Sequence, residues 1–103
     1  MAFSMIHPRE VDQILRNERG ILIDVREPEE YRMEHIYRAR NCPYDQIDVW
    51  KNYFPKNRVL VMYCDYGSTS LLAARKLGKE GFEVYTVIGG IEAMKNYQKT
   101  YGG

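Results

Sequence analysis

The chain has 103 residues with 15 Lys and Arg against 14 Asp and Glu, a formal net charge of +1, and that balance excludes both a polybasic nucleic-acid tail and a strongly acidic one. Hydrophobic residues make up 45% and charged residues 28%, too apolar for a disordered chain and ordinary for a folded one. A chain of this length buries roughly two-thirds of its unfolded surface and holds a small core without disulfide staples, so a single domain over residues 1–103 is expected.

In chain order, His7-Pro8 suits a helix start, and Val11, Ile14 and Leu15 form a buried stripe before Gly20 ends the helix. Ile21 to Val25 is almost wholly apolar, as in a strand covered on both faces of a parallel sheet. Pro28 with Glu29 and Glu30 opens a second helix running to about Met33. Ala39 to Pro43 reads as a short strand before a helix that carries Ile47, Trp50 and Phe54 and is closed by Pro55. Arg58 to Tyr63 is the strongest strand in the chain. A helix over about Ser70 to Glu80, a strand over Glu83 to Ile88, a Gly89-Gly90 turn and a last helix over Ile91 to Lys99 complete the pattern. Strands alternating with helices imply a parallel sheet with helices on both faces. The longest apolar run, Val59 to Cys64, is far short of a membrane span, and Met1 to Glu10 holds no secretory signal, which points to the cytoplasm.

The most informative segment is Cys64-Asp65-Tyr66-Gly67-Ser68-Thr69-Ser70, which joins the strongest strand to a helix at the sheet edge where open α/β folds bind ligands. A loop of small and polar residues can curl so that successive N–H groups converge on one anion, reinforced by the positive end of the following helix. Cys64 at its base is therefore the candidate nucleophile, since thiolate is the reactive form of cysteine and such a cradle favours it. The residues Asp65, Tyr66, Gly67, Ser68, Thr69 and Ser70 are the candidate substrate-binding loop. Asp24, Arg26 and Glu27 lie just past a strand end on the same edge and read as an ion-pair network bracing the loop. His35 reads as a structural histidine and Cys42 as a packing thiol. Neither cysteine lies in a metal-ligand grouping, so no metal is expected.

The Cys64 loop resembles the active-site loop of the rhodanese-like domain family. Ile23-Asp24-Val25-Arg26-Glu27-Pro28-Glu29-Glu30-Tyr31 is similar to the family's amino-terminal motif, Glu34-His35-Ile36 to its next element, and Val87-Ile88-Gly89-Gly90-Ile91 to its carboxy-terminal motif. The resemblance covers nearly the whole chain. It implies a three-layer α/β/α fold with a mostly parallel five-stranded sheet, and a sulfurtransferase in which Cys64 carries sulfane sulfur as a persulfide. No cofactor is implied. The implied partners are a small sulfur donor, thiosulfate or a persulfide, and a thiol or cyanide-like acceptor, with a sulfur-delivery protein as a further candidate; neither nucleic acid nor a membrane is expected.

Three positions depart from the family pattern. Ile36-Tyr37-Arg38-Ala39 stands where Ile-Pro-Gly-Ala is common, Thr69 where many members place an arginine, and Met94 where the last helix often has tryptophan. Thr69 bears on the choice of substrate. A cysteine-dependent phosphatase would use the same thiolate in an anion cradle, but no Arg or Lys occurs between Cys64 and Ala74 to brace a phosphate. A non-catalytic binding module of the same fold is the other alternative, and the retention of Cys64 with Gly67 argues against it.

Overall fold

The computed structural model describes residues 3–102. Seven strands, β1 (Phe3–Ile6), β2 (Ile21–Asp24), β3 (His35–Ile36), β4 (Arg40–Asn41), β5 (Val59–Tyr63), β6 (Glu83–Val87) and β7 (Thr100–Tyr101), alternate with five helices. These are α1 (Val11–Asn17), α2 (Pro28–Met33), α3 (Ile47–Trp50), α4 (Ser68–Lys79) and α5 (Gly90–Met94). Five strands form one sheet in the order β1-β6-β5-β2-β4, and every pairing in it is parallel. β3 and β7 make a separate antiparallel pair.

The period-2 geometry of β5 divides the core. Leu60, Met62 and Cys64 face one side with Ala73, Ala74 and Leu77 of α4 and Trp50 of α3. Val59, Val61 and Tyr63 face the other with Val11 and Ile14 of α1 and Ile91 and Met94 of α5. All five residues of β5 are buried, which is why the segment reads as a continuous apolar run rather than an alternating one. Met94, at the position where tryptophan was the family expectation, is fully enclosed in the second layer.

The topology decides where a site can form. β2 leads to β4 on one side, whereas β5 leads to β6 on the other, so the connections leave the β2 and β5 pair in opposite directions and open a crevice at their carboxyl ends. Asp24 is in register with Tyr63, which places Cys64 beside the end of β2.

Several elements differ from the sequence reading. β1 was not expected; it is a four-residue edge strand with one buried residue, Ile6, and so carries no alternating signal. The first helix begins as a single 3-10 turn over Pro8–Glu10 and stops at Asn17. α4 starts at Ser68, two residues early, because the left-handed Gly67 (φ 118°) turns the chain directly into it. The last helix ends at Met94 rather than Lys99. The amides of Tyr97 and Gln98 both bond the Met94 carbonyl, and the freed segment reaches β3 as β7.

Candidate active site

Cys64 directly follows the buried core strand β5 and is 3% exposed. Its Sγ accepts hydrogen bonds from the Gly67 amide at 3.1 Å and the Ser70 amide at 3.3 Å, and as a thiol it donates to Ser70 Oγ at 3.5 Å. This cradle exists because Gly67 adopts a left-handed conformation that costs a side chain more than it costs glycine. The turn sets the first amides of the 12-residue α4 over the sulfur, where the helix dipole also favours negative charge. Such an arrangement stabilises a thiolate or the terminal sulfur of a persulfide.

Within the loop, the residues singled out from sequence divide by role. Gly67 and Ser70 supply the amides that reach Sγ. The Ser68 and Tyr66 side chains are exposed, Tyr66 at 74%, and so is part of Thr69. Of Ser68, Thr69 and Ser70, Ser70 alone is buried, because it sits on the core face of α4. Its hydroxyl donates to the Gly67 carbonyl and accepts from Thr86 Oγ1 at 2.8 Å. Thr86, on the adjacent strand β6, went unnoticed in the sequence, as a threonine in a strand signals only β-propensity.

Gly90 was likewise read only as part of a turn. A Cβ there would collide with the carbonyl oxygens of both Cys64 and Asp65. The close approach lets the Ile91 amide bond the Cys64 carbonyl at 2.8 Å and the Glu92 amide bond that of Asp65 at 3.4 Å. The start of α5 thus clamps the base of the loop.

The brace from β2 is built from Asp24 and Arg26. Arg26 Nη2 lies 2.8 Å from Asp24 Oδ2, its Nε 3.0 Å from Oδ1, and its amide 2.9 Å from Oδ1. Nη2 also donates to the Glu34 carbonyl, and Nη1 reaches Asp65 Oδ1 at 3.5 Å. Burial opposes the Arg26 charge, but the bonds to Asp24 outweigh it and hold the guanidinium proton above its usual value. Tyr63 lies beneath, pushed up by burial and the Asp24 carboxylate, with its hydroxyl accepting from the Ile36 amide at 3.0 Å. Glu27 does not join this network; it is exposed and its amide donates to Glu30 Oε1, at the start of α2.

Glu30, three residues on in α2, lies near Asp65. Burial, then a hydrogen bond with the Asp65 carboxyl, raises its proton affinity above the ordinary carboxylate range. His35 has a structural role, its Nδ1 donating to the Tyr31 carbonyl at 2.7 Å with its ring stacked on Tyr31. Cys42 packs half-buried against the α4 layer, and burial pushes its thiol up to about 11.

The rhodanese-like domain profile matches residues 7–97. The chain belongs to the rhodanese-like domain family. It is 29% identical over 101 residues to the thiosulfate sulfurtransferase GlpE of Coxiella burnetii, covering 97% of this chain and 94% of that one. The crystal structure of a rhodanese-related protein from Thermoplasma volcanium superposes with a TM-score of 0.86 at 20% identity, covering 95% and 97% of the two chains, a likeness of fold. Reduced CoADR-RHD from Bacillus anthracis gives a TM-score of 0.82 at 32% identity over 89% of this chain, which spans 16% of that longer protein. No helix among the described residues is long and apolar enough to cross a membrane.

Proposed function

We propose that the chain is a sulfurtransferase in which Cys64 carries the transferred sulfur as a persulfide. The observation that supports this most directly is the convergence of the Gly67 and Ser70 amides on Sγ at the start of α4. The Cys64 thiolate attacks the outer sulfur of the donor; the donor S–S bond breaks and its electron pair leaves with sulfite or a thiolate. Cys64 retains the sulfur as Cys–S–S⁻, held by the same amides and the helix dipole. A thiolate or cyanide acceptor then attacks the terminal sulfur, the bond to Sγ breaks, and the Cys64 thiolate returns. The cycle leaves no electrons to be supplied or removed.

In this reading Asp24 and Arg26 are positioning residues that hold Asp65 and the loop against β2. The family-level likeness to GlpE agrees with it. The test is intact-protein mass spectrometry after exposure to thiosulfate or glutathione persulfide. The wild type gains one sulfur that cyanide removes, Cys42→Ser behaves the same, and Cys64→Ser gains none. A wild type that takes up no sulfur from either donor, or a Cys64→Ser variant that takes up as much, overturns the reading.

A further inference from the structure

Four cationic residues border a groove that the Cys64 site does not use. Arg16 of α1, Arg38 before β4, Arg58 before β5 and Lys99 before β7 line a cavity of about 820 Å³ together with a single carboxylate, Asp12; Arg40 also touches it, but its guanidinium turns away to lie 6.0 Å from the Phe54 ring centroid. Arg58 precedes β5 and Cys64 follows it, so at about 3.3 Å per residue the Arg58 end of the groove lies roughly 20 Å from Cys64 along the strand. Among the described residues, none of the four cations forms an ion pair with a carboxylate. Arg58 is held instead by the Arg19 carbonyl, at 2.7 and 3.0 Å.

Arg38 sharpens the point. Its φ is +74°, a left-handed conformation that glycine adopts freely and a long side chain does not. A strained residue at the rim of a concentrated charge points to a use for that charge. Its guanidinium lies 5.2 Å from the Tyr37 ring centroid. Tyr37 and Tyr97, 40% and 49% exposed, add aromatic surface to the lining.

We propose that this groove binds a nucleoside di- or triphosphate. Several like charges in one cavity match a ligand that packs several negative charges within a few ångströms. A di- or triphosphate does so, whereas an acidic peptide spreads its carboxylates over several residues. Arginine forks suit phosphate oxygens bidentately, the tyrosine rings offer a base a surface to stack on, and the volume falls in the range of small-molecule sites.

Calorimetric titration of the full chain with ADP, ATP, inorganic pyrophosphate and a pentaglutamate peptide tests this. The nucleotides bind with 1:1 stoichiometry and more tightly than pyrophosphate or the peptide, and the affinity falls as salt rises. Arg38→Gly weakens ADP binding about tenfold while raising Tm, because it removes a charge and a strained φ together; sulfur loading of Cys64 is unchanged. Arg16→Gln with Lys99→Gln weakens binding without the gain in Tm. Cys64→Ser binds ADP as the wild type does, so the result stands whether or not Cys64 transfers sulfur. Absence of saturable ADP or ATP binding at millimolar concentration, or affinity unchanged in both arginine variants, overturns the proposal. Pyrophosphate binding as tightly as ADP removes the nucleoside from it, and tighter binding of pentaglutamate reassigns the groove to an acidic protein segment.

Discussion

Glu30 and Asp65 are two acids on neighbouring elements that face each other at the mouth of the Cys64 loop, with one guanidinium, Arg26, within reach of Asp65 and already committed to Asp24. Two carboxylates in such contact resist ionising together. Folding raises the proton affinity of Glu30, chiefly through burial. A group whose folded pKa is raised contributes stability in full below its unfolded value, near 4.3, and loses it as pH climbs through the folded value. Glu30→Gln, which keeps the shape and removes the charge, therefore raises Tm at about pH 7, and the gain shrinks toward zero by about pH 4. Thermal unfolding of both proteins across that range is the check. An equal gap at both ends, or a lower Tm for the variant at neutral pH, would show that the Glu30 carboxylate is stabilising and that the contact with Asp65 has been misjudged.

The start of α5 does for the loop what its own sequence cannot do alone. Gly67 is left-handed, but a Cβ there would meet Gly89 N at 3.4 Å and Val87 O at 3.8 Å, so its requirement is one of backbone conformation. Gly90 has a positive φ of 59° and in addition no room for a Cβ beside the Cys64 and Asp65 carbonyls. Gly90→Ala is expected to lose stability by about 2–4 kcal/mol, from left-handed strain together with overpacking, and to fall further in sulfur loading than Gly67→Ala, which costs about 1 kcal/mol. Urea unfolding and persulfide yield on the same preparations compare the two; equal losses would remove the clamp from the account. This difference also marks what was legible in advance. β5, α4 and the Cys64 loop announce themselves through a continuous apolar run, a helical stripe and a cluster of small residues. The Asp24 and Arg26 brace was readable from its place at a strand end. Gly90 and Thr86 were not, because their roles depend on which strand lies beside which, and β3 and β7 were not, because two-residue strands carry no periodicity.

Over the whole molecule the charges are segregated, although the chain sums to +1. Asp24, Glu30 and Asp65 crowd the carboxyl end of the sheet against one arginine, while Arg58 stands at the other end, where the cationic groove begins. Arg58 does little for a donor approaching Cys64: roughly 20 Å is more than two Debye lengths at physiological salt, where the screening length is about 8 Å. Nor does the nearer Lys76 of α4 help, since it is drawn toward Asp48 at 3.2 Å, and the loop itself carries no Lys or Arg between Cys64 and Ala74. Thiosulfate, a dianion, must therefore enter past a carboxylate pair only partly neutralised by Arg26. Weak turnover with a high KM is expected, and kcat/KM should rise with added inert salt, because salt here screens a repulsion. Asp65→Asn removes the facing charge and frees Nη1 of Arg26, and Thr69→Arg places a cation on the first turn of α4; both should raise kcat/KM for thiosulfate, chiefly through KM. Each gain should be smaller with an uncharged sulfane-sulfur donor, which feels no such barrier. Steady-state kinetics with the two donors across a salt series decide it: if both variants are slower than wild type on thiosulfate, or if salt lowers the wild-type rate, the mouth attracts anions and donor choice is set by shape instead of charge.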